Sequence, residues 1–384
     1  MASRGLTCLL VVASIVAGCS DGSGDSGSVP TASTGEASSA MTTEPASATS
    51  TGAASAPSFR QLIGQKLVVG MDGTRPSQSL LRRARRGRIG GVILFSHNFR
   101  SAAGLRAITT RLQRAAADGG RPRLLIAVDQ EGGLVKRVSW IPPRLSPPRL
   151  GELGSTERAR GQGRRTGAAL RDLGINTNLA PVADVPASRA SFMYQQGRTW
   201  SFSAGKTARL ANAFALGLGD RRALATMKHF PGLGRATRNT DDHVVRIGAT
   251  RRRLAPGLEP YRQAVANDVP LIMLSNAVYD AYDRHHAAGW SRAIGWGLLR
   301  DELGFEGVTV TDSLDGAAAA RRVPTDRLAI SAVRAGTDLI LLTGTEAASR
   351  SVYRSLLDAA TDGRIRQGRL AASYQRIVAL KTRL

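Results

Sequence analysis

Ala223-Leu224-Ala225-Thr226-Met227-Lys228-His229-Phe230-Pro231-Gly232 is a short apolar run that ends in a cation and an imidazole and then turns. Near-continuous apolar runs of this length fit strands buried on both faces of a parallel sheet. The Pro-Gly pair turns the chain out of that sheet, so the two polar residues stand at the strand's C-terminal end. The pattern recurs. Asp129 ends Leu-Leu-Ile-Ala-Val, Asp184 ends Asn-Leu-Ala-Pro-Val-Ala, and Asp312 ends Val-Thr-Val-Thr.

Working outward from this run gives eight candidate strands: Leu67 to Gly70, Gly91 to Phe95, Leu124 to Asp129, Asn176 to Val185, Ala223 to Phe230, Pro270 to Asn276, Gly307 to Ser313 and Asp338 to Thr343. Amphipathic helical patterns lie between them, among them Ala103 to Ala116, Ser155 to Asp172, Ala204 to Gly219 and Tyr261 to Asn267. Alternating strands and helices of this number predict an α/β fold, a closed (β/α)8 TIM-type barrel, typically about 250 residues plus insertions. An open doubly wound sheet is the alternative. In the barrel all strand C-termini converge on one mouth, where buried carboxylates and amines are costly unless they serve one another or a ligand.

The 384 residues bracket this core with a different N-terminus. Arg4 precedes an apolar stretch, Leu6 to Ala17, which is too short to span a bilayer and reads as a secretory signal over residues 1–18. Its Val16-Ala17-Gly18-Cys19 ending resembles a bacterial lipobox, which implies cleavage before Cys19, acylation of that thiol and tethering to the outer face of the cytoplasmic membrane. Cys8 would leave with the signal, so no internal disulfide is expected. Residues 19–57 are Ser, Thr, Gly and Ala with few large apolar side chains, a composition expected to stay disordered as a stalk. The folded catalytic domain is expected over 58–384.

The formal charge of +24 does not mark a nucleic-acid binder. Only five of the 53 basic residues are Lys, and the Arg are spread through the whole domain with few aromatics beside them. A solvated Arg-rich surface is the better reading, biased towards anionic wall polymers or lipid headgroups. Metal sites fit poorly, because the His are dispersed and the one remaining Cys is the expected lipid anchor. No Walker-type phosphate loop and no Gly-x-Ser-x-Gly elbow occur.

Three segments carry candidate chemistry. Asp129 and Arg137 flank the paired Gly132-Gly133 and can bind hydroxyls; a tight turn with solvated charges is the alternative. Asp312 can act as a nucleophile on carbon or as a metal ligand. As a structural residue it would cap a helix, for which Asp315 is the more ordinary choice. Lys228 can fix a sugar hydroxyl with His229 as a second donor. Asp241 and His243 can pair so that the carboxylate sets the imidazole tautomer and raises its basicity. Two of the chain's five His fall within this one segment.

Together these motifs resemble bacterial family 3 glycoside hydrolases of the β-N-acetylhexosaminidase branch. The matching stretches are Ile63-Gly64-Gln65-Lys66-Leu67, Gly90-Gly91-Val92-Ile93-Leu94-Phe95, Val128 to Gly133, Asn178 to Val185, Lys228 to Gly232 and Asp312-Ser313-Leu314, in the family order. The resemblance implies Asp312 as the catalytic nucleophile and Asp241 with His243 as an acid/base dyad. It further implies that Asp129, Arg137, Arg198, Lys228 and His229 bind the N-acetylglucosamine ring. The implied activity is retaining hydrolysis of terminal β-linked N-acetylglucosamine from muropeptides or other wall fragments, without cofactor, by a monomer. Phosphorolysis, β-glucosidase activity and a sugar-binding lipoprotein without catalysis are the alternatives. The sequence departs from the family pattern at Leu233 and Leu134, where His and Arg are usual, and within Leu274-Ser275-Asn276, where a His is common. The loop from Lys228 to His243 is about two residues longer than the family's.

Overall fold

In the computed structural model, which describes residues 57–384, eight parallel strands stand side by side in chain order. They are β1 (Leu67–Gly70), β2 (Gly91–Ile93), β3 (Leu125–Val128), β4 (Thr177–Asn178), β5 (Leu224–Phe230), β6 (Leu271–Leu274), β7 (Val308–Thr311) and β8 (Ile340–Leu342). β8 returns to pair with β1, with Leu67 opposite Ile340. The circle closes between β7 and β8: Leu339 N donates to Thr309 O, and Thr311 N donates to Leu339 O. The fold is therefore a (β/α)8 barrel, and the open sheet is excluded. The signal segment, the stalk and Cys19 lie outside the described residues.

Strand alternation divides the core in two. Val68, Ile93, Leu125, Met273, Val310 and Leu341 point inwards and pack together inside the barrel. Their neighbours Leu67, Val69, Val92, Ile126, Ile272 and Leu342 point outwards into a second cluster shared with the helices. A strand with apolar side chains on both faces is buried on both sides, which is why these runs read as continuous rather than alternating.

Two expected elements differ in extent. The Asn176 to Val185 run forms ladder pairing only over Thr177–Asn178. Pro181 has no N–H to give to a ladder, and the chain rejoins the sheet through a bridge from Val182 to Lys228. The helix expected at Tyr261 begins ten residues earlier, at Arg251–Ala266, with Pro256 and Pro260 inside it. Thr250 caps it by accepting from Arg253 N, and Leu254, Leu258 and Tyr261 bury one face, so packing overrides the two prolines.

The barrel's N-terminal end is closed by the helix Gln367–Lys381, which sends Ile377 and Leu380 into the interior cluster. Polar anchors tie it down. Lys66 Nζ donates to Thr337 O at 3.0 Å and to Ser373 Oγ at 2.6 Å. Lys381 Nζ donates to Gln65 Oε1 and Gly90 O, both at 2.7 Å. The fully buried Asp338 accepts from Arg300 at 2.7 Å and Arg376 at 2.8 Å. With one end sealed, the opposite end is left for a ligand. No helix among the described residues is long and apolar enough to cross a membrane.

Candidate active site

A cavity of about 210 Å³ opens at the C-terminal ends of the strands. That is smaller than the roughly 300–1,000 Å³ of drug-sized pockets, so it suits one compact polar unit rather than a chain. Asp129, Arg137, Arg198, Lys228, His229, Asp241 and Asp312 all line it. His243 does not.

Asp129 follows the last residue of β3. The chain then runs through a hairpin, Gln130–Gly132 against Val135–Lys136. Gly132 and Gly133 turn it with φ of 99° and 63°, a region that side-chain-bearing residues avoid. Residues two apart on an extended segment share a face, so Glu131 points the same way as Asp129. Lys228, at the end of β5, places its ammonium between them, 2.7 Å from Asp129 Oδ1 and 2.7 Å from Glu131 Oε1. Arg198 closes a fork on Glu131, with Nε to Oε2 and Nη2 to Oε1 both 2.8 Å.

This cluster is a rigid charge frame. Glu131 is 4% exposed and Lys228 2%. Burial opposes the ionised Glu131, but Lys228 and Arg198 outweigh it and hold the carboxyl at about 2. Burial likewise opposes the charged Lys228, and Asp129 and Glu131 together raise its pKa. Arg198 is stabilised in its charged form against burial by Glu131. Two of the three ammonium protons of Lys228 are thus committed to carboxylates, which leaves one for a ligand. Arg137 is looser, 3.8 Å from Asp129 Oδ2, with its guanidinium over the Phe95 ring at 5.6 Å.

His229 is held from behind by Asp184, at 2.8 Å between Nδ1 and Oδ2. Asp184 also accepts from His229 N at 3.3 Å and from Leu233 N at 2.6 Å. A carboxylate at Nδ1 makes that nitrogen the donor and leaves Nε2 for the cavity. Glu131 and Asp184 were both outside the expected ligand set. Glu131 lines the cavity beside Asp129, whereas Asp184 touches His229 and not the cavity itself.

Asp312 follows β7, where its N donates to Leu274 O at 3.0 Å. The cap of the next helix, Leu314–Arg321, is Ser313, whose side chain accepts from Gly316 N. Asp315 is not the cap; it sits in the first turn and accepts from Gly344 N at 3.0 Å. Asp312 is therefore free of a capping role and keeps one internal bond, Ser313 N to its Oδ1 at 2.8 Å. Asn276, in the stretch Leu274-Ser275-Asn276, donates to Ser313 O at 2.8 Å and so braces the residue beside Asp312.

The expected pair of Asp241 and His243 is not formed. No hydrogen bond or ion pair joins them among the described residues, and His243 is exposed. The cause is the loop's path. His243 N donates to Asn239 O at 3.1 Å, one helical turn, and Asn239 Oδ1 accepts from Asp241 N at 3.2 Å. At about 100° per residue, side chains two apart on such a turn diverge by about 200°. Asp241 goes into the cavity, while His243 and Val244 go to solvent.

Residues 58–380 match the model of the glycosyl hydrolase family 3 N-terminal domain. An uncharacterised secreted glycosyl hydrolase of Arthroderma benhamiae is 33% identical over 330 residues, covering 84% of this chain and 92% of the relative. A beta-hexosaminidase of Alkalilimnicola ehrlichii is 34% identical over 302 residues, covering 76% and 84%. Among solved structures, the family 3 beta-N-acetylglucosaminidase of Paenibacillus sp. str. FPU-7 superposes with a TM-score of 0.80 at 32% identity. It covers 85% of this chain, which spans 63% of that longer protein.

Proposed function

This chain belongs to glycosyl hydrolase family 3, and we propose from that premise that it releases terminal β-linked N-acetylglucosamine with retention of configuration. The observation that carries the reading is the single cavity that gathers Asp312 with Asp129, Arg198, Lys228 and His229. Asp129 accepts from sugar hydroxyls, Lys228 and His229 Nε2 offer hydrogen bonds to them, and Arg137 and Arg198 complete the grip. Asp312 attacks the anomeric carbon as the glycosidic C–O bond breaks and the leaving oxygen takes up a proton, and the resulting glycosyl ester is then cleaved by water, which frees the sugar and the Asp312 carboxylate. Arthroderma and Alkalilimnicola relatives named as a secreted glycosyl hydrolase and a beta-hexosaminidase support the activity and its export.

The substrates in this reading are peptidoglycan fragments, met outside the cell. Residues 1–18 direct export, Cys19 carries the lipid that anchors the chain to the membrane, and 19–57 give it reach into the wall. In this reading the enzyme acts as a monomer. The test is hydrolysis of an aryl β-N-acetylglucosaminide against an aryl β-glucoside. We expect turnover of the first only, loss of it in Asp312→Ala, and a covalent adduct on Asp312 with a slow fluorinated sugar. Turnover surviving in Asp312→Ala would overturn the reading.

A further inference from the structure

We infer that the closed end of the barrel, over the sector from β2 to β5, docks on anionic phospholipid headgroups and turns the mouth away from the membrane. The choice of lipid as partner rests on the proposed anchoring; the chemistry of the cavity plays no part in it.

The arginines are spread along the chain, but the carboxylates are not. Asp129, Glu131, Asp241, Asp242, Asp280 and Asp312 stand on loops that leave the strands, at the mouth. The loops that enter β2 to β5 carry Arg86, Arg88, Arg121, Arg123, Arg221 and Arg222 instead. Asp118 and Asp220 in this sector are taken by Arg85 and Arg160 at 3.1 and 2.9 Å, and no ion pair reaches the six loop arginines among the described residues. That leaves Asp172 as the remaining acid there. Before β6 and β7 the same end carries Asp268, Glu302 and Glu306, so the basic face is a sector and not the whole end.

These arginines form a surface rather than scattered points. Arg114, Arg121 and Arg123 line an open groove of about 480 Å³ beside Thr110. Arg121 lies over the turn at Gly87, its Cδ 3.1 Å from where a side-chain carbon there would stand. Its Nε is buried with no hydrogen-bond partner among the described residues. Burial, and then the neighbouring Arg123 and Arg222, lower the pKa of Arg171. Guanidiniums from the approaches to β3, β4 and β5 thus repel one another, and no carboxylate offsets them. An anion relieves that repulsion, and the guanidinium fork matches a phosphate. Helix dipoles account for Arg82, Arg85, Arg114 and Arg171, which sit in last turns. Arg88, Arg121, Arg123 and Arg222 lie beyond that reach.

The path of the chain favours a membrane as the partner. The helix Phe59–Gln65, which leads into β1, packs on the same face: a side-chain carbon at Gly64 would stand 2.7 Å from Arg88 Cα. Residues 1–56 therefore join the domain beside the arginine sector, and the lipid proposed on Cys19 tethers it from that side. The mouth lies at the other ends of the strands. A phosphate-bearing surface on the tethered side attracts the sector once it comes within a Debye length, about 8 Å.

The experiment sediments the full chain carrying Cys19→Ala, which cannot be acylated, with two kinds of vesicle. One is phosphatidylcholine alone and the other is phosphatidylcholine with phosphatidylglycerol in equal parts. Binding to the second only is expected, and it should fall as salt is added. An arginine near such a surface contributes about fivefold to partition, so Arg86→Gln with Arg123→Gln and Arg222→Gln should lose about 10²-fold. All three are exposed. Arg86→Lys with Arg123→Lys and Arg222→Lys keeps the charge and should bind like the parent. Arg235→Gln with Arg253→Gln and Arg284→Gln removes the same charge at the mouth and should stay within about twofold, because screening hides the far face. Equal losses in the two Gln triples overturn the inference, and so does equal binding to both vesicles. Tighter binding of a soluble glycerol phosphate polymer through Arg86, Arg123 and Arg222 also overturns it, since the partner is then a wall polymer. None of these results touches the Asp312 reading, which stands on the sugar adduct and on Asp312→Ala.

Discussion

Lys228 holds two carboxylates at once, and the more buried of them, Glu131, also anchors Arg198. Removing one partner of such a group strands the others as uncompensated charge in the interior, which costs roughly 3–5 kcal/mol. Glu131→Ala should therefore lower stability by about that much in urea titrations, and it should weaken sugar binding because it releases Lys228 and Arg198. The sign with pH follows from linkage. Glu131 titrates at 4.5 in the unfolded chain and at about 2 when folded. Its stabilisation is full above 4.5 and is lost as the pH falls through 2. Acid unfolding of the parent should be shallower in Glu131→Gln, read by circular dichroism between those limits.

At this scale the sequence carried the polar residues at strand ends, and the cavity gathers Asp129, Lys228, His229 and Asp312 there. Glu131 was passed over, although its spacing of two from Asp129 was a signal that both share a face. Asp184 was visible as a strand-end carboxylate, but nothing in the sequence said that it serves His229. The misplaced residue was His243. A spacing of two brings side chains together on an extended segment and drives them apart on a helical turn, and the turn at Asn239 depends on tertiary packing that the sequence does not display.

Elements set what these residues can reach. The first turn of the helix Leu314–Arg321 supplies Ser313 as cap, leaves Asp312 free and, through Gly316, makes room for Asp241. Alanine is the better helix former by about 1 kcal/mol, but its side-chain carbon would stand 2.8 Å from Asp241 Cβ, so Gly316→Ala should displace the Asp241 loop and lower thermal stability. The new carbon also occupies the place of the Asp241 carboxyl. A shift of about 1 Å in a catalytic group costs on the order of 10²-fold. We expect that loss in kcat, with KM nearly unchanged, in steady-state assays of an aryl β-N-acetylglucosaminide. The strand runs were legible because both faces are apolar. The helix Arg251–Ala266 was legible only in its last turns, since Pro256 and Pro260 break the pattern that its packing tolerates.

Across the whole molecule, the barrel's closed end is held by charges with little solvent. Burial lowers the pKa of Lys381 from 10.5 to about 7. Below 7 the lysine is charged in both states and its burial penalty is complete. Between 7 and 10.5 the unfolded chain binds more protons than the folded one, so stability rises with pH. Lys381→Met should raise the melting temperature at pH 6 and flatten its rise from pH 7 to 10, by differential scanning calorimetry.

The polar anchors of the floor also span nearly the entire domain: Lys66 reaches Ser373, 307 positions on, and Lys381 reaches Gln65, 316 positions back. Contacts so distant in sequence close late, after shorter ones have formed. While residues 367–381 are still inside a ribosome, the ring lacks the helix that seals its N-terminal end. Protease resistance should therefore be acquired abruptly, at the end of synthesis or transport, rather than strand by strand.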